Sequence, residues 1–508
     1  MIDNTVTDKA IRSTIPARLD RLKWSPFHTR MVLGLGVAWI LDGLEITIAS
    51  AVTGVLTQSN TLHLTSAEVG LIATIYLIGE VVGALYFGRL SDKLGRRSLF
   101  MLTLGVYLIG SGLTAFTFGQ GAFWTFFFYA TRFVAGTGIG GEYAAINSAI
   151  DEMMPAHYRG RVDIGVNGTY WAGSILGTFA SLLFLNLIPV QLGWHLAFFL
   201  GPVLAVVILF VRRHLPESPR WLITHGRAQE ADEVIGRIED EARQHGQNLS
   251  SVDDSDAIMI LPEKLYGYFA LLHVVFKQYP TRAILGASLM ITQSFLYNAI
   301  FFTYAIVLTK FYHVPATTVP LYGLAFAVGN LAGPLVLGHL FDTLGRKKMI
   351  AGTYILSGVL LAISAFLFDI GALSPLTQTI CWVVIFFFAS AGASSGYLTV
   401  SEIFPIEIRA EAIAVFFAIA QVAGACGPLL YGALIGNATS NTGLFVGYLI
   451  GAGIMILGGL AEVFFGVNCE GQSLESIARP LSAVTEETDQ LHPILKNRLE
   501  RTEIKKAS

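Results

Sequence analysis

Long apolar stretches separated by short polar segments make up most of the chain from residue 31 onward. Each stretch is about 20 residues or longer, enough to cross a hydrocarbon core of ~30 Å as an α-helix. These runs differ from the short alternating segments of a membrane β-barrel. The pattern predicts an all-α membrane protein with twelve transmembrane helices. Spans 1 to 12 are predicted near residues 31–55, 68–90, 98–117, 121–143, 163–186, 194–212, 283–308, 319–341, 349–369, 376–400, 410–436 and 443–467.

A charged motif occurs twice at one fixed offset. Gly88–Arg97 reads GRLSDKLGRR, and Gly338–Lys347 reads GHLFDTLGRK, a shift of 250 residues (338 − 88). The segments EMMPAHYR, from Glu152, and EIFPIEIR, from Glu402, repeat a glutamate, a proline and an arginine at the same shift. Two motif pairs in one register indicate two related halves, which in an apolar chain is typical of transporters built from repeats.

A longer polar segment, residues 213–281, divides the spans into two groups of six. Its charged run at 227–241 has the spacing of i,i+4 pairs on surface helices. The predicted organisation is an N-terminal segment (1–30), a six-helix bundle (31–212), a cytoplasmic linker with surface helices (213–281), a second bundle (282–468) and a C-terminal tail (469–508). The linker is either a passive connection or a helical bundle that braces the halves.

Basic residues are distributed unevenly between the predicted loops, and Lys310 is the one cation on the side opposite to the rest. Because cytoplasmic loops are enriched in Lys and Arg, both termini are predicted to be cytoplasmic, in the plasma or inner membrane. The first 30 residues lack an apolar signal-peptide core, so we expect span 1 to be retained. The basic loops contain Lys93, Arg96, Arg97, Arg159, Arg161, Arg212, Arg213, Arg346, Lys347, Lys348 and Arg409.

Composition excludes an ordinary soluble enzyme. Charged residues are 14% of the chain, against roughly 25% in soluble domains, and the mean hydropathy is +0.60. Three scattered cysteines are too few for a disulfide framework or a metal site. No metal, nucleotide or nucleophile constellation is recognisable. We therefore expect no cofactor, no enzymatic activity and no nucleic-acid partner, and we expect a monomer in the lipid bilayer.

The repeated loop motifs, together with PESPRWL at Pro216–Leu222 and SEIFP at Ser401–Pro405, resemble the major facilitator superfamily, nearest its sugar-porter and metabolite–proton symporter branches. The resemblance covers roughly residues 30 to 475 and implies two pseudo-symmetric six-helix halves. It also implies that ion pairs lock the cytoplasmic ends together while the molecule is open outward. Such pairs bind in one packing and break in the other. The residues concerned are Asp92, Arg96, Glu152, Arg159, Asp342, Arg346, Glu402 and Arg409.

The alternative for these loop residues is a set of static topology charges. Positive-inside sorting alone would explain the arginines. It does not explain the matched aspartate and glutamate positions in both halves, so we favour the gating hypothesis.

Ionisable residues within the spans are the candidates for proton coupling, because a charge at membrane depth costs at least ~2.5 kcal/mol. Asp42 and Glu45 lie three residues apart in span 1 and share a helix face. GLE at residues 43–45 resembles the Gly-Tyr-Asp of sugar porters, and the Asp-Gly-x-acid pattern resembles aromatic-acid–proton symporters. By this resemblance, Arg132 in span 4 pairs with the span 1 acid. Protonation of Glu45 would then release Arg132; the alternative is a permanent structural ion pair.

Three further acids lie within the predicted spans. Glu142 follows Arg132 by ten residues (142 − 132), roughly 15 Å along the helix, and its Gly-Gly-Glu-aromatic context resembles metabolite–proton symporters. It has either a second proton or gating role or a structural one. For Glu80 we expect a hydrogen-bonded packing role, and for Glu462 a position that reaches the membrane interface.

The presumed solute site is assigned by the same resemblance. The stretch QSFLYNAIF from Gln293 resembles the Gln-x4-Asn-Ala-x-Phe of sugar porters and includes Tyr297 and Asn298. Asn167 lies where those proteins place a span 5 Gln. Amides suit a polar solute because each offers donors and acceptors, although interhelical hydrogen bonding is the alternative. Span 10 lacks the proline-rich run and Trp of sugar porters, which argues against a hexose, while Tyr397 there remains a candidate.

The leading hypothesis is proton symport of a small polar organic solute, such as a sugar or organic acid, by alternating access between the halves. A drug or metabolite exporter acting as a proton antiporter is the alternative. Gly168–Gly177 in span 5 has glycines but not the proline of the antiporter motif, which argues against export. A non-transporting sensor on the same scaffold is the third hypothesis. The sequence alone does not identify the solute.

Overall fold

The computed structural model describes residues 11–56, 58–64, 66–213, 215–253, 256–260, 272–301, 303–315, 318–436 and 441–481. Twelve helical spans are present in this part of the chain. Their bounds are Pro26–Leu56, Ser66–Leu94, Arg96–Thr114, Ala122–Met153, Arg159–Gly168 with Tyr170–Leu187, Val190–Arg212, Pro280–Phe301 with Tyr304–Tyr312, Val319–Leu337 with Leu340–Thr343, Arg346–Asp369, Pro375–Ile403, Arg409–Gly436 and Thr442–Phe465. They follow the predicted spans 1 to 12 and keep those numbers.

Ten helices of the described part are apolar enough to cross a membrane by length and composition. The other two, spans 2 and 4, are 29 and 32 residues long and contain buried charges. Span 4 continues ten residues beyond its predicted end, to Met153. Its last turns contain Glu142, Asn147, Asp151 and Glu152, each at most 2% exposed. Neighbouring helices rather than lipid surround these polar side chains, so hydropathy alone places the end of span 4 too early.

The two halves repeat the same helix pairings. In the N-terminal half span 1 packs on span 5, span 2 on span 4, and span 3 on spans 4 and 6. In the C-terminal half span 7 packs on span 11, span 8 on span 10, and span 9 on spans 10 and 12. Between the halves, span 2 meets span 11 and span 5 meets span 8. The predicted all-α fold with two pseudo-symmetric six-helix halves is confirmed.

Glycines allow span 1 and span 5 to touch along their backbones. A Cβ on Gly43 would lie 1.9 Å from the carbonyl oxygen of Tyr170, and one on Gly173 would lie 1.9 Å from that of Ile40. Small residues at helix crossings permit this approach in membranes. Span 5 is interrupted between Gly168 and Tyr170, beside this crossing. The interruption lies next to Asn167 and so positions a predicted solute ligand.

Short elements at the basic ends of the spans form a layer at that end of the molecule, named here the basic-end layer. The helices are Ile15–Asp20, Pro219–Thr224, Ala228–Gln244 and Leu474–Ile477. A small antiparallel ribbon pairs Ile11–Ser13 with Ile258–Ile260, which the sequence did not predict. Two of the helices fall in the linker, as expected. The outer parts of the predicted terminal segments (1–10 and 482–508) and linker residues 214, 254–255 and 261–271 lie outside the described residues.

One linker residue, Arg220, contacts the segment that precedes the first half and the segment that follows the second half. The Arg220 guanidinium is 1% exposed and lies 3.0 Å from an Asp20 carboxylate oxygen and 3.6 Å from one of Glu475. Asp20 precedes span 1, and Glu475 follows span 12. The next residue, Trp221, donates its indole N–H to the Asp92 carbonyl oxygen at 3.0 Å. These contacts favour the bracing hypothesis over a passive connection.

Candidate functional site

A central cavity of about 170 Å³ lies between the halves. Spans 1, 2, 4 and 5 line it on one side, and spans 7, 10 and 11 on the other. All five predicted solute ligands are among the lining residues: Asn167, Gln293, Tyr297, Asn298 and Tyr397. Two helix interruptions occur beside it, one after Asn167 in span 5 and one after Phe301 in span 7. The structure therefore brings the predicted solute residues together.

The amides of the cavity are partly engaged with the protein. The Asn167 amide N–H₂ donates to the Asn147 side-chain oxygen at 3.0 Å and to the Asp163 carbonyl at 2.9 Å. Its own side-chain oxygen has no hydrogen-bond partner among the described residues. The Asn298 N–H₂ donates to the Ser294 carbonyl at 2.9 Å, and the Tyr297 hydroxyl donates to Asn330 at 2.7 Å. These bonds fix the side chains and leave acceptor capacity for a solute.

Aromatic rings from both halves form one wall of the cavity, named here the aromatic floor. It consists of Trp39, Tyr143, Tyr397 and Phe417. Ring centroids are 4.5 Å apart for Trp39 and Tyr143, 5.6 Å for Trp39 and Tyr397, and 4.8 Å for Tyr143 and Phe417. Trp39 and Tyr143 belong to the N-terminal half and the other two to the C-terminal half, so the floor couples the two bundles.

Two buried acids also line the cavity. Asp42 is 1% exposed and accepts hydrogen bonds from the hydroxyls of Tyr76, at 3.2 Å, and Tyr143. Glu80 is also 1% exposed and accepts from the Gln421 amide of the opposite half at 3.0 Å. The expected hydrogen bond of Glu80 is therefore present, but the residue is part of the cavity wall rather than of helix packing alone.

Glu45 and Arg132 form a buried ion pair between spans 1 and 4, as the resemblance implied. Their exposed fractions are 0% and 1%. The Glu45 carboxylate also accepts from the Tyr107 hydroxyl at 3.0 Å and from the Ser111 hydroxyl at 3.1 Å, both on span 3. Every one of these partners lies within the N-terminal half. A buried carboxylate with one cation and two hydroxyl donors is well compensated while it is charged.

Arg132 connects this ion pair to the cavity. Its guanidinium carbon lies 4.4 Å from the centre of the Tyr76 ring. The Tyr76 hydroxyl donates to Asp42, which faces the cavity. Arg132 and Asp42 therefore contact the same tyrosine, one through its ring and the other through its hydroxyl. The two span 1 acids thus share a helix but have different surroundings.

Glu142 has a partner that sequence reasoning missed. Its carboxylate accepts from the Arg212 guanidinium at 2.9 and 3.3 Å, and it lies 3.5 Å from the Thr103 hydroxyl. Arg212 is 1% exposed, and its guanidinium also donates to the Gly34 carbonyl at 3.1 Å. From the sequence Arg212 was interpreted as a topology cation at the end of span 6. The 70-residue separation from Glu142 gave no signal of the pairing.

The repeated charge motifs form one triad in each half. Arg96 donates to Asp92 at 2.7 Å and to Glu152 at 2.6 Å. In the C-terminal half the equivalent arginine, Arg346, reaches the equivalent carboxylates, Asp342 at 2.6 Å and Glu402 at 3.1 Å. Because two carboxylates share one buried guanidinium, the triads orient their acids firmly.

The same residues connect the halves, in contacts named here the cross-half lock. Asp342 accepts from the backbone N–H of Gly160 at 3.0 Å and of Arg161 at 2.8 Å. Asp92 accepts from the backbone N–H of Glu411 at 3.1 Å. Arg161 and Glu411 are related by the 250-residue shift (411 − 161). The lock therefore follows the internal symmetry.

Two buried arginines complete the lock. Arg159 lies 3.4 Å from a Glu402 oxygen, and Arg409 lies 3.9 Å from a Glu152 oxygen. Each pair joins one half to the other, and all four side chains are at most 1% exposed. The structure brings the eight predicted gating residues into two symmetry-related networks of four residues each, both at the basic ends of the spans. These ends are held together in this conformation.

A carboxylate from the linker supports the N-terminal triad. Glu217 accepts from the backbone N–H of Arg96 at 2.8 Å, at the start of span 3. Burial raises the pKa of Glu217 above its ordinary value, and the backbone bonds and the Arg96 charge oppose that shift. Acceptance by a carboxylate at a helix N-terminus is favourable because the first N–H groups have no partner within the helix.

One expectation about a membrane acid is wrong. Glu462 was expected to reach the interface from the end of span 12, but it is 0% exposed. Neither carboxylate oxygen has a hydrogen-bond partner among the described residues. Spans 7 and 9 pack on span 12. Other residues missed from the sequence are Trp39, Tyr143, Phe417 and Gln421, whose roles as cavity lining required knowledge of which helix faces meet.

Comparison with known proteins identifies relatives over nearly the whole length. Residues 35–481 match the family described as sugar (and other) transporter. The chain is 26% identical to the niacin transporter NiaP of Acinetobacter baylyi over 91% of this chain and 99% of the relative. It is 24% identical to the glucose facilitated diffusion protein of Zymomonas mobilis over 88% and 96%. The solved proton:xylose symporter XylE, bound to 6-bromo-6-deoxy-D-glucose, superposes with a TM-score of 0.74 at 19% identity, covering 89% of this chain and 98% of that chain.

Twelve spans in two related halves around a central cavity are the fold of the major facilitator superfamily, as in XylE. This protein belongs to the sugar (and other) transporter family, and it is a multi-pass membrane protein. The resemblance drawn from the loop motifs is thereby confirmed.

Proposed function

We propose that this protein imports a small polar organic solute together with protons, by alternating access between its two halves. The observation that carries the proposal is the buried Glu45–Arg132 pair, connected through Tyr76 to Asp42 on the cavity wall. The names of two similar proteins agree with transport of a small solute: XylE is a proton:xylose symporter, and NiaP is a niacin transporter.

Glu45 is the proposed coupling group. When the Glu45 carboxylate takes up a proton, Arg132 loses its counter-charge and is left buried and uncompensated. The arginine then needs another acceptor, and Asp42 is the acid it already approaches through the Tyr76 ring. A shift of Arg132 towards Asp42 would change the hydrogen bonds at the cavity and so favour one packing of the halves over the other. Glu142, paired with Arg212, is a further candidate for a proton or gating role.

Alternating access requires that the cross-half lock break and reform. In the present packing the basic ends are bound together and the aromatic floor joins the halves. Breaking these contacts would open the cavity on that side. We place both termini in the cytoplasm on the charge distribution, and we propose a monomer in the lipid bilayer. Gating residues, the cavity and the coupling pair are then all contained in one chain.

The test is transport by purified protein in proteoliposomes. A thermal-shift screen of a metabolite panel first supplies a radiolabelled solute. An inward proton gradient should drive accumulation by the wild type; with one proton per solute, one pH unit supports at most about tenfold accumulation. Glu45→Gln should abolish gradient-driven accumulation yet retain exchange of labelled for unlabelled solute, because the neutral amide mimics the protonated acid.

Glu462→Gln is the matched control, since Glu462 is also a buried span acid but does not line the cavity. It should accumulate solute as the wild type does. Accumulation by Glu45→Gln equal to that of the wild type would remove this residue from coupling. Accumulation driven by a gradient of the opposite sense would identify an antiporter, and absence of exchange by the wild type with every bound solute would favour the sensor hypothesis.

A further inference from the structure

We infer that the solute of the central cavity carries a ring and a cationic or N–H-bearing nitrogen, and that the Glu80 carboxylate receives this nitrogen. The inference rests on the proposed transport function and specifies its substrate class. Three independent features of the cavity support it: its charge, the incomplete bonding of Glu80, and the aromatic rings that surround it.

The charge of the cavity wall is entirely acidic. Among the described residues that line it, Asp42 and Glu80 are acids, and none is lysine, arginine or histidine. The two buried span arginines that pair with membrane acids are held away from the cavity lining, Arg132 by Glu45 and Arg212 by Glu142. A carboxylate solute would therefore meet two acids and no counter-charge, in a setting where like charges repel strongly. In this packing Arg132 is paired with Glu45 and does not line the cavity.

Glu80 lines the cavity, and its carboxylate is incompletely bonded. Its Oε2 accepts from the Gln421 amide at 3.0 Å, whereas its Oε1 has no hydrogen-bond partner among the described residues. The side chain is 1% exposed. A neutral amide satisfies one oxygen but does not compensate a negative charge, and an incompletely paired buried carboxylate is costly. A solute with a positive nitrogen or an N–H group would supply both the missing bond and the missing charge.

The position of Glu80 makes such binding sensitive to the arrangement of the halves. Glu80 belongs to span 2 and Gln421 to span 11, the two helices that meet between the bundles. A nitrogen that binds Oε1 would add a ligand-dependent contact beside the existing bond. Solute binding at Glu80 can therefore change the contact between spans 2 and 11. A carboxylate far from span 11 would not have this effect.

Aromatic rings supply the remaining recognition. Eight of the lining residues carry rings, including the aromatic floor and, across the cavity, Trp171, Tyr297 and Phe301. Centroid distances are 5.9 Å between Trp171 and Tyr297 and 5.6 Å between Trp171 and Phe301. Aromatic faces attract organic cations by about 0.5–2 kcal/mol each and stack on flat rings. Acids combined with rings, and without a cation, match a ring-bearing amine or N-heterocyclic cation.

The test uses two ring-matched ligand series that differ in charge, measured on the full-length protein in detergent by titration calorimetry. The pyridine series is N1-methylnicotinamide (cation), nicotinamide (neutral) and nicotinic acid (anion); the benzene series is benzylamine, benzyl alcohol and benzoate. Within each series the ring is kept and the charge varies. We expect the order cation, neutral, anion, with cation and anion separated by about tenfold or more in affinity.

The variant Glu80→Gln should lower the affinity for the cations by about tenfold while changing the neutral ligands by less than about twofold. Glu80→Asp should restore part of the cation preference because it restores the charge. Glu462→Gln is the control for loss of a buried span acid away from the cavity, and the wild-type ligand series remains informative if Glu80→Gln does not fold.

Several outcomes would overturn the inference. They are tighter binding of nicotinic acid or benzoate than of the matching cation, an unchanged cation preference in a folded Glu80→Gln variant, and no binding of any cation at millimolar concentration. The proposed proton coupling is tested separately, because the ligand series needs no gradient and Glu45→Gln transport needs no particular ligand charge. Cation binding with no proton-driven accumulation would leave the substrate class standing and remove the symport proposal.

Discussion

The cross-half lock leads to a quantitative prediction, because its two symmetry-related aspartates make different numbers of bonds to the opposite half. Asp342 accepts two backbone N–H bonds across the interface, whereas Asp92 accepts one. Within their own halves both aspartates pair equally with an arginine, at 2.6 and 2.7 Å. Substitution by asparagine removes the charge from either site, so the within-half loss is similar and the cross-half loss differs.

The magnitude follows from the strength of charge-assisted hydrogen bonds. A bond to a charged group contributes about 1.5–3 kcal/mol and a neutral one about 0.5–1.5, so each cross-half bond loses roughly 1 kcal/mol on substitution. Asp92→Asn should therefore shift the equilibrium towards the cytoplasm-open packing by about fivefold, and Asp342→Asn by up to about thirtyfold. The shift is in this direction because the lock is formed only when the basic ends are together.

The assay is alkylation of a single cysteine, Ile164→Cys, in a background without the three native cysteines. Ile164 is 0% exposed, and its side chain lies 3.6 Å from the position of a Cβ on Gly338 across the interface. The thiol becomes reactive only when the halves separate at this end. An impermeant maleimide added at the cytoplasmic face should label in the order Asp342→Asn, Asp92→Asn, wild type.

Asp369→Asn provides the matched control, since Asp369 is exposed at the opposite end of the span that begins with Arg346. It should label at the wild-type rate. Equal labelling of all variants would contradict the lock. A rate for Asp92→Asn equal to or above that of Asp342→Asn would contradict the bond-by-bond reasoning even if the lock exists.

Two further predictions concern the cavity wall and the basic-end layer of short elements. In Gly424→Ala the new Cβ would lie 2.4 Å from the Asn298 amide nitrogen, so the amide must move. Calorimetry should show solute affinity lowered by about tenfold. The control Gly453→Ala, which has open space around the new Cβ, should bind solute as the wild type does. Burial alone would raise the pKa of Glu239, but hydrogen bonds and positive charge from Arg18 and Arg21 lower it below its ordinary value. The contact between helices Ile15–Asp20 and Ala228–Gln244 should therefore be fully stable at pH values above the ordinary glutamate pKa of ~4.3. It should weaken as the pH falls through the lowered pKa of Glu239. Hydrogen exchange of residues 15–20, corrected for the intrinsic pH dependence of exchange, measures the stability of this contact. Glu239→Gln should show low protection at every pH. Equal protection from neutral to acidic pH in the wild type would contradict the assignment.

The fold was predictable because the physical constraint is simple and local. An apolar run of sufficient length in lipid must be a helix, and the 250-residue repeat organises twelve such runs into two halves. The departures occur where this constraint is relaxed. The end of span 4 was placed too early because Glu142 and the polar residues after it are covered by protein, and hydropathy does not distinguish burial in protein from exposure to water.

The site was predictable in part, and the limit was pairing over long distances. Asp42, Glu45 and Arg132 could be found because single charges in apolar runs are conspicuous. The residues that these and other buried charges bind could not be predicted in the same way. Arg212 resembles any cation at the end of a span, and Gln421 resembles any interhelical amide. Their roles depend on which helix faces meet, and that information is not present in the pattern of one helix.

The internal repeat also separates the two proposed tasks of the molecule. The lock residues recur in both halves, but the buried charges of the N-terminal half do not. At the 250-residue shift Glu45 corresponds to Phe295, Glu80 to Asn330, Arg132 to Trp382 and Glu142 to Gly392. The C-terminal half presents only amides, hydroxyls and rings to the cavity. The buried acid of span 12, Glu462, does not line the cavity, so we expect proton coupling to reside in the N-terminal half. Polar recognition by the C-terminal half then needs no charge, and substitutions there should alter affinity without uncoupling transport from protons.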